Sequence, residues 1–289
     1  MSRDMNPAHR QLWAALGAMT LIATTSAQGA TAPPNEPLLR ALSHAMAFDN
    51  QAGLRRLLTA RNMRRLEPAD RIVLLAELID RRNLAGLTAA VRAGLDPNQP
   101  LRFDREGEPV TYTPLNYAIG AHTGPEVALR LIDLGADVNL ASVDDNPPLL
   151  TAAGLHRYQV ITRLLARGAD PNAAEPMAGL TPLMAVVGRK THHAEALAAA
   201  RDLVEHGANI DAVSLVGYTP LMFAASCGNT QAVQWLQQLG ADTSRVAGDG
   251  ESLLSLTAKQ PSADDIAPSE RMEALDQALE NIRRPKAHP

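Results

Sequence analysis

The chain has 289 residues, room for one or two ordinary domains, with 27 Lys and Arg against 31 Asp and Glu and a net charge of −4. That near balance, with aromatic residues at only 3%, argues against a general binder of nucleic-acid backbones, which needs a basic excess and stacking platforms. A single cysteine, Cys227, excludes an internal disulfide.

Residues 1–27 read as a secretory signal peptide. Arg3, His9 and Arg10 precede an apolar run over 12–23 that is short for a membrane span, and Thr25, Ser26 and Ala27 offer small residues for a cut after Ala27. The expectation is a cleaved leader, no stable membrane anchor afterwards, and a periplasmic or secreted protein; a short anchoring helix is the alternative. The absence of any N-x-S/T sequon leans towards the periplasm. Residues 28–36, with Pro33 and Pro34, predict an extended linker.

Helical stripes begin at Leu38. Leu38, Leu39, Leu42, Ala45 and Met46, then Ala52, Leu54, Leu57 and Leu58, predict a first degenerate helical hairpin. Ile72, Val73, Leu75, Ala76 and Ile79, then Leu84, Leu87, Ala90 and Val91, predict a second, ending at Gly94. Between 55 and 92 stand nine arginines against Glu67, Asp70, Glu77 and Asp80. They read as the solvated face of a cap or as a basic patch for an acidic partner or an anionic surface.

From here the chain repeats itself. Thr113-Pro114-Leu115, Pro147-Pro148-Leu149, Thr181-Pro182-Leu183 and Thr219-Pro220-Leu221 start units 34, 34 and 38 residues apart. Thr caps the first helix and Pro takes its first position, where a missing N–H is harmless; the unit at Pro147 lacks the capping Thr. Gly94-Leu95-Asp96-Pro97-Asn98, Gly135-Ala136-Asp137-Val138-Asn139, Gly168-Ala169-Asp170-Pro171-Asn172, Gly207-Ala208-Asn209-Ile210-Asp211 and Gly240-Ala241-Asp242-Thr243-Ser244 close units. In the clearest unit, 217–244, Thr230 is the cap candidate for the second helix, and Cys227 reads as packing at the end of the first.

Two lengths depart from the pattern. Asn98 to Thr113 spans 15 positions where the equivalent spans elsewhere are 8 or 9. This longer loop holds Arg102, Phe103 and Arg105 and reads as a contact surface or as a β-hairpin finger. About five residues are also added around Arg189-Lys190-Thr191-His192-His193, predicting a longer second helix over 194–205. Adjacent histidines do not face one site on a helix, and no third ligand is spaced to join them, so no metal is expected there.

The repeated starts and closures resemble the ankyrin-repeat family, whose units of about 33 residues open on T-P-L and are joined by β-turns. The resemblance implies an all-α ankyrin-repeat solenoid of about six to seven helical hairpins over 37–283, with degenerate terminal caps, a last cap helix over 269–283 and a flexible tail over 284–289. The His that commonly follows T-P-L in the family is replaced by Asn116, Leu150, Met184 and Met222, so the inter-loop hydrogen bonding it provides must be replaced or absent.

No G-x-S-x-G elbow, H-E-x-x-H, phosphate-binding G-x-x-x-x-G-K or G-x-G-x-x-G occurs, and no enzyme is expected. With the resemblance, this implies a monomeric, cofactor-free module that binds a protein partner on its concave and loop face, with no nucleic-acid partner. Arg102, Phe103, Arg105, Tyr112, Asn116, Val143, Asp144, Asp145, Tyr218 and Met222 are the outward-facing contact candidates. Two alternatives stand beside it: an immunity or inhibitor protein for an exported toxin or hydrolase, and a ligand- or metal-binding protein using the 99–110 loop with His192 and His193.

Overall fold

The computed structural model describes residues 35–105, 108–120, 123–142, 146–189 and 194–258, which fall into two compact units divided at Pro114 and Leu115. The expected leader, the cap helix over 269–283, the tail, His192, His193, Asp144 and Asp145 lie outside the described residues.

The first unit holds α1 (Glu36–Ala47), α2 (Gln51–Leu57), α3 (Ala60–Arg65), α4 (Pro68–Asp80) and α5 (Leu84–Arg92), followed by strands β1 (Leu101–Arg105) and β2 (Glu108–Tyr112). Short polar side chains fix the helix starts. Asn50 accepts the Gly53 amide at 2.8 Å, Asn83 accepts the Gly86 amide at 2.8 Å, and Thr59 accepts the Asn62 amide at 3.3 Å. α1 packs on α2, and both α2 and α4 pack on α5, enclosing Leu42, Leu54, Leu75, Leu78, Ile79 and Leu87. Gly86 permits that approach, because a Cβ there would lie 2.7 Å from the Leu78 side chain and 2.9 Å from that of Leu54. α3 is an element the periodicity does not reveal. The long loop is an antiparallel hairpin with Leu101 opposite Tyr112 and Arg105 opposite Glu108; its β1 strand lies against α4.

The second unit is a two-row helical array. α6 (Pro114–Gly120) and α7 (Pro125–Asp133) are followed by the hairpins α8 (Pro148–Gly154) with α9 (Tyr158–Leu165), α10 (Pro182–Val187) with α11 (Ala194–Glu205), and α12 (Pro220–Ser226) with α13 (Thr230–Gln238), then α14 (Leu253–Ala258). α8, α10, α12 and α14 stack one on the next as an inner row, while α7, α9 and α11 do the same outside. The inner helices are sandwiched between two neighbours and their own partner, so every residue of α8 and α10 is buried. This is the all-α repeat solenoid expected, and the elongated α11 begins and ends where the inserted residues predict.

Thr181 and Thr219 cap α10 and α12, each accepting an amide at 3.3 Å, whereas Pro147 brings no side-chain cap to α8. One cap is corrected. α13 begins at Thr230 itself, so the residue before it, Asn229, is the cap and accepts the Ala232 amide at 3.1 Å. The Asn229 side-chain Nδ2 also donates to the Val187 carbonyl at 3.1 Å, tying consecutive repeats together. Cys227 is buried, with its thiol donating to the Gly188 carbonyl at 2.8 Å, as a packing role requires.

The five closing glycines all have positive φ, between 82° and 102°, which ends each second helix in a left-handed residue. The closing turns are then stitched together. Asn139 accepts the Asp170 amide at 2.9 Å and donates to the Gly168 carbonyl at 3.1 Å; Asn172 repeats this one unit later with the Asn209 amide at 2.8 Å and the Gly207 carbonyl at 2.9 Å. Asp211 accepts the Asp242 amide at 2.9 Å. At the end of this ladder the hydroxyl and amide of Ser244 hold the Asp242 carboxyl below the ordinary carboxylate range. Replacing Asn172 by alanine removes two inter-repeat bonds at an exposed site, so urea denaturation is expected to show a loss of about 1 kcal/mol, with Asn172→Asp, which keeps the acceptor, losing less.

Candidate functional site

Between each closure and the next inner helix the second unit makes a tight turn. The amide of Ser142 donates to the Asn146 carbonyl at 3.2 Å, that of Glu175 to Leu180 at 3.0 Å, that of Ser214 to Tyr218 at 2.9 Å, and that of Ala247 to Glu251 at 2.7 Å. Buried polar groups brace the bases of these turns. The Glu175 carboxylate accepts the amides of Met177 at 2.8 Å and Ala178 at 2.6 Å, and the Ser214 hydroxyl accepts the Tyr218 amide at 3.1 Å. Consecutive tips are joined as well, through Leu215 amide to Ala178 carbonyl at 2.9 Å and Gly248 amide to Val216 carbonyl at 3.2 Å.

On this ordered backbone sit large apolar side chains in water. Met177 is 68% exposed, Leu215 71% and Val216 60%, with the neighbouring Val213 and Val246 also exposed. Apolar side chains gathered on braced, adjacent turns are a favourable contact surface, because little ordering is left to do when a partner arrives.

The expected contact residues are distributed differently. Arg102 is exposed on β1 and Tyr112 is half-buried on β2, while Phe103 and Arg105 lie on β1 with side chains outside the described residues. Val143, like Asp144 and Asp145, is outside them too. Three expected outward residues are corrected. Met222 is 1% exposed within the wholly packed start of α12, and Tyr218 is 6% exposed with its hydroxyl donating to the Asp249 carboxylate at 3.2 Å. Asn116 is buried and donates to the Asn146 carbonyl at 2.9 Å, supplying at this one repeat the inter-loop bond that the missing His leaves open. At the same slot Leu150, Met184 and Met222 contribute packing instead. The exposed tip residues Met177, Leu215 and Val216 were not among the expected contacts; their signal was bulky apolar side chains inside glycine-containing turns, where no core face explains them.

A groove of about 630 Å³ runs along the outer helices and is lined by His156, Arg157, Tyr158, Glu195, Arg201 and Asp202 among others. Burial, and after it the Glu195 carboxylate, push the Tyr158 phenol above its ordinary range, against an opposing pull from Arg189. Its charges are mixed. Among the described residues no group of three or more His, Cys, Asp or Glu is arranged to hold a metal ion, and no helix is long and apolar enough to cross a membrane.

The family profile for ankyrin repeats in three copies matches residues 149–247, the span of the stacked hairpins and their braced turns. Residues 149–247 are ankyrin repeats. The chain is similar to Protein PhlB of Serratia liquefaciens, at 44% identity over 63 residues covering 22% of this chain and 28% of that protein. It is also similar to a putative ankyrin repeat protein of Rickettsia felis (strain ATCC VR-1525 / URRWXCal2), at 33% identity over 78 residues covering 27% of this chain and 34% of that one. The matched stretches thus span about a third or less of these relatives. Ankyrin repeats generally mediate protein–protein interaction and are typically non-enzymatic, and the turns of this array carry the exposed apolar side chains of Met177, Leu215 and Val216.

Proposed function

We propose that this chain is a non-enzymatic, exported module that holds a protein partner against the turn tips of its second unit, with Met177, Leu215 and Val216 as the apolar anchors. The observation that carries the reading is the combination of exposure and order on those turns: side chains 60% to 71% exposed stand on backbones fixed by Glu175, Ser214 and the tip-to-tip hydrogen bonds. An apolar row held in place gains its affinity by removing those side chains from water and requires no cofactor. The leader-like residues 1–27 support export, and the periplasm is the compartment we favour.

The test uses the full chain, as wild type and as the double variant Leu215→Ser/Val216→Ser, cross-linked in periplasmic extract and analysed by mass spectrometry. The expected result is a protein held by the wild type and lost from the variant, with the urea midpoint of the variant unchanged because both side chains are on the surface. Identical partners for the two chains would remove the turn tips from the interface.

A further inference from the structure

The first unit carries a second surface of opposite character. Arg55, Arg56, Arg61, Arg64 and Arg65 fall within 11 residues of α2 and α3, all exposed, and no acidic residue occurs from 50 to 66. Their scaffold is rigid. Leu54, Leu58, Met63 and Leu66 root the segment in the core, Asn50 and Thr59 cap its two helices, and the Asn62 side-chain Nδ2 donates to the Leu57 carbonyl at 2.8 Å, clamping α3 to the end of α2. On α3, Arg61, Arg64 and Arg65 stand at i, i+3 and i+4 and therefore share a face.

Other arginines of the chain are engaged. Arg71 donates to the Leu66 carbonyl at 3.1 Å, Arg81 pairs with Glu77, and Arg163 and Arg167 both reach Asp133, at 2.9 and 3.1 Å. Arg55, Arg56, Arg61 and Arg64, by contrast, have no ion pair or hydrogen bond among the described residues. Like charges carried on so short a segment repel one another, and the repulsion is relieved when an anion settles among them.

The geometry points to a docking surface for a short acidic polypeptide segment, whose carboxylates pair with the guanidinium groups of Arg55, Arg56, Arg61 and Arg64. Three observations favour this occupant. The first unit contains no lysine, so its permanent positive charge is carried by arginine, the side chain whose planar fork binds carboxylate in two places at once. No aromatic residue occurs between 49 and 102, and the exposed Phe48 just before them is paired with the His44 ring, so the arginine segment itself carries no platform for stacking nucleic-acid bases. No large apolar side chain is exposed on 51–66 to enter a bilayer, and residues 115–289 carry 13 Lys and Arg against 20 Asp and Glu, which disfavours any extended polyphosphate that senses the whole molecule. A short segment within a Debye length of about 8 Å senses the arginines alone.

The experiment measures fluorescence anisotropy of a labelled peptide of alternating Glu and Ser, with its Gln and Ser counterpart as control, against the full chain at physiological salt. Wild type is expected to bind the Glu peptide and not the control. Arg61→Gln/Arg64→Gln is expected to weaken binding about fivefold to tenfold, and Arg61→Lys/Arg64→Lys, which keeps charge and loses the fork, about threefold. Leu215→Ser/Val216→Ser serves as a reference and is expected to bind the peptide like the wild type, so failure at either surface is read separately. Equal binding by the Gln variant and wild type would overturn the proposal, as would no binding of the Glu peptide by wild type. Preferential binding of phosphatidylglycerol vesicles or duplex DNA over the peptide would overturn it in favour of a phosphate surface.

Discussion

Leu183→Ala is expected to destabilise the second unit by about 3 kcal/mol, read as a fall in the urea midpoint at unchanged slope. Leu183 is 0% exposed on α10, the inner helix that packs on α8 before it, α12 after it and α11 beside it. Truncation at such a site loses the transfer free energy of the removed atoms and leaves a cavity that three neighbours cannot all move to close, a combination that costs about 2–5 kcal/mol in buried leucines. The informative comparison is Leu215→Ala. The same chemical change on a turn tip leaves stability within about 0.5 kcal/mol, since that side chain is already in water. A loss below about 1 kcal/mol at Leu183 would show that the inner row is not the core of the array.

The second large effect is expected at Gly217. Its φ of +88° is unfavourable for a residue with a side chain, and a Cβ there would lie 2.8 Å from the Gly248 nitrogen and 3.1 Å from Ala247 Cα, backbone atoms of the next turn. Gly240 provides the control, with a φ of +85° and open space around the same added atom. Both alanine variants bear backbone strain of about 1–3 kcal/mol, and Gly217→Ala alone adds a collision with the neighbouring turn. Denaturant unfolding is expected to place Gly217→Ala at least about 1 kcal/mol below Gly240→Ala. Equal losses would mean that the two turns are not in contact.

Much of the second unit is legible in the residues because its signals are local. A hydroxyl before Pro-Leu at Thr181 and Thr219 caps a helix whatever lies beyond it, and a glycine at 168, 207 or 240 ends one for reasons internal to the backbone. The elongated α11 could be placed because inserted residues must lengthen something between two fixed signals. The errors occur where the answer depends on neighbours about a repeat away. Met222 is expected outside only if the first helices offer a partner their concave face; an inner helix flanked on three sides keeps such a side chain packed. Tyr218 and Asn116 carry polar atoms that suit a surface equally well, and only the Asp249 carboxylate and the Asn146 carbonyl, each about 30 residues downstream, explain their burial. Thr230 and Asn229 are both good caps, and the choice turns on the Val187 carbonyl, which the second group of Asn229 reaches. The apolar tips are hard to read for the converse reason: a lone Leu-Val pair in a turn looks like noise until adjacent turns bring such side chains into a row.

The stitching of the closing turns by Asn139, Asn172 and Asp211 has a consequence for how such a chain changes over generations. Each stitch is made to the next turn's backbone, an amide or carbonyl that any sequence supplies, and not to a particular side chain. A duplicated hairpin inserted into the row would find its sockets already waiting above and below, and a deleted one would leave its former neighbours able to join directly. Growth and shrinkage by whole modules is therefore chemically easy here, while the loops and tips remain free to diverge towards new targets.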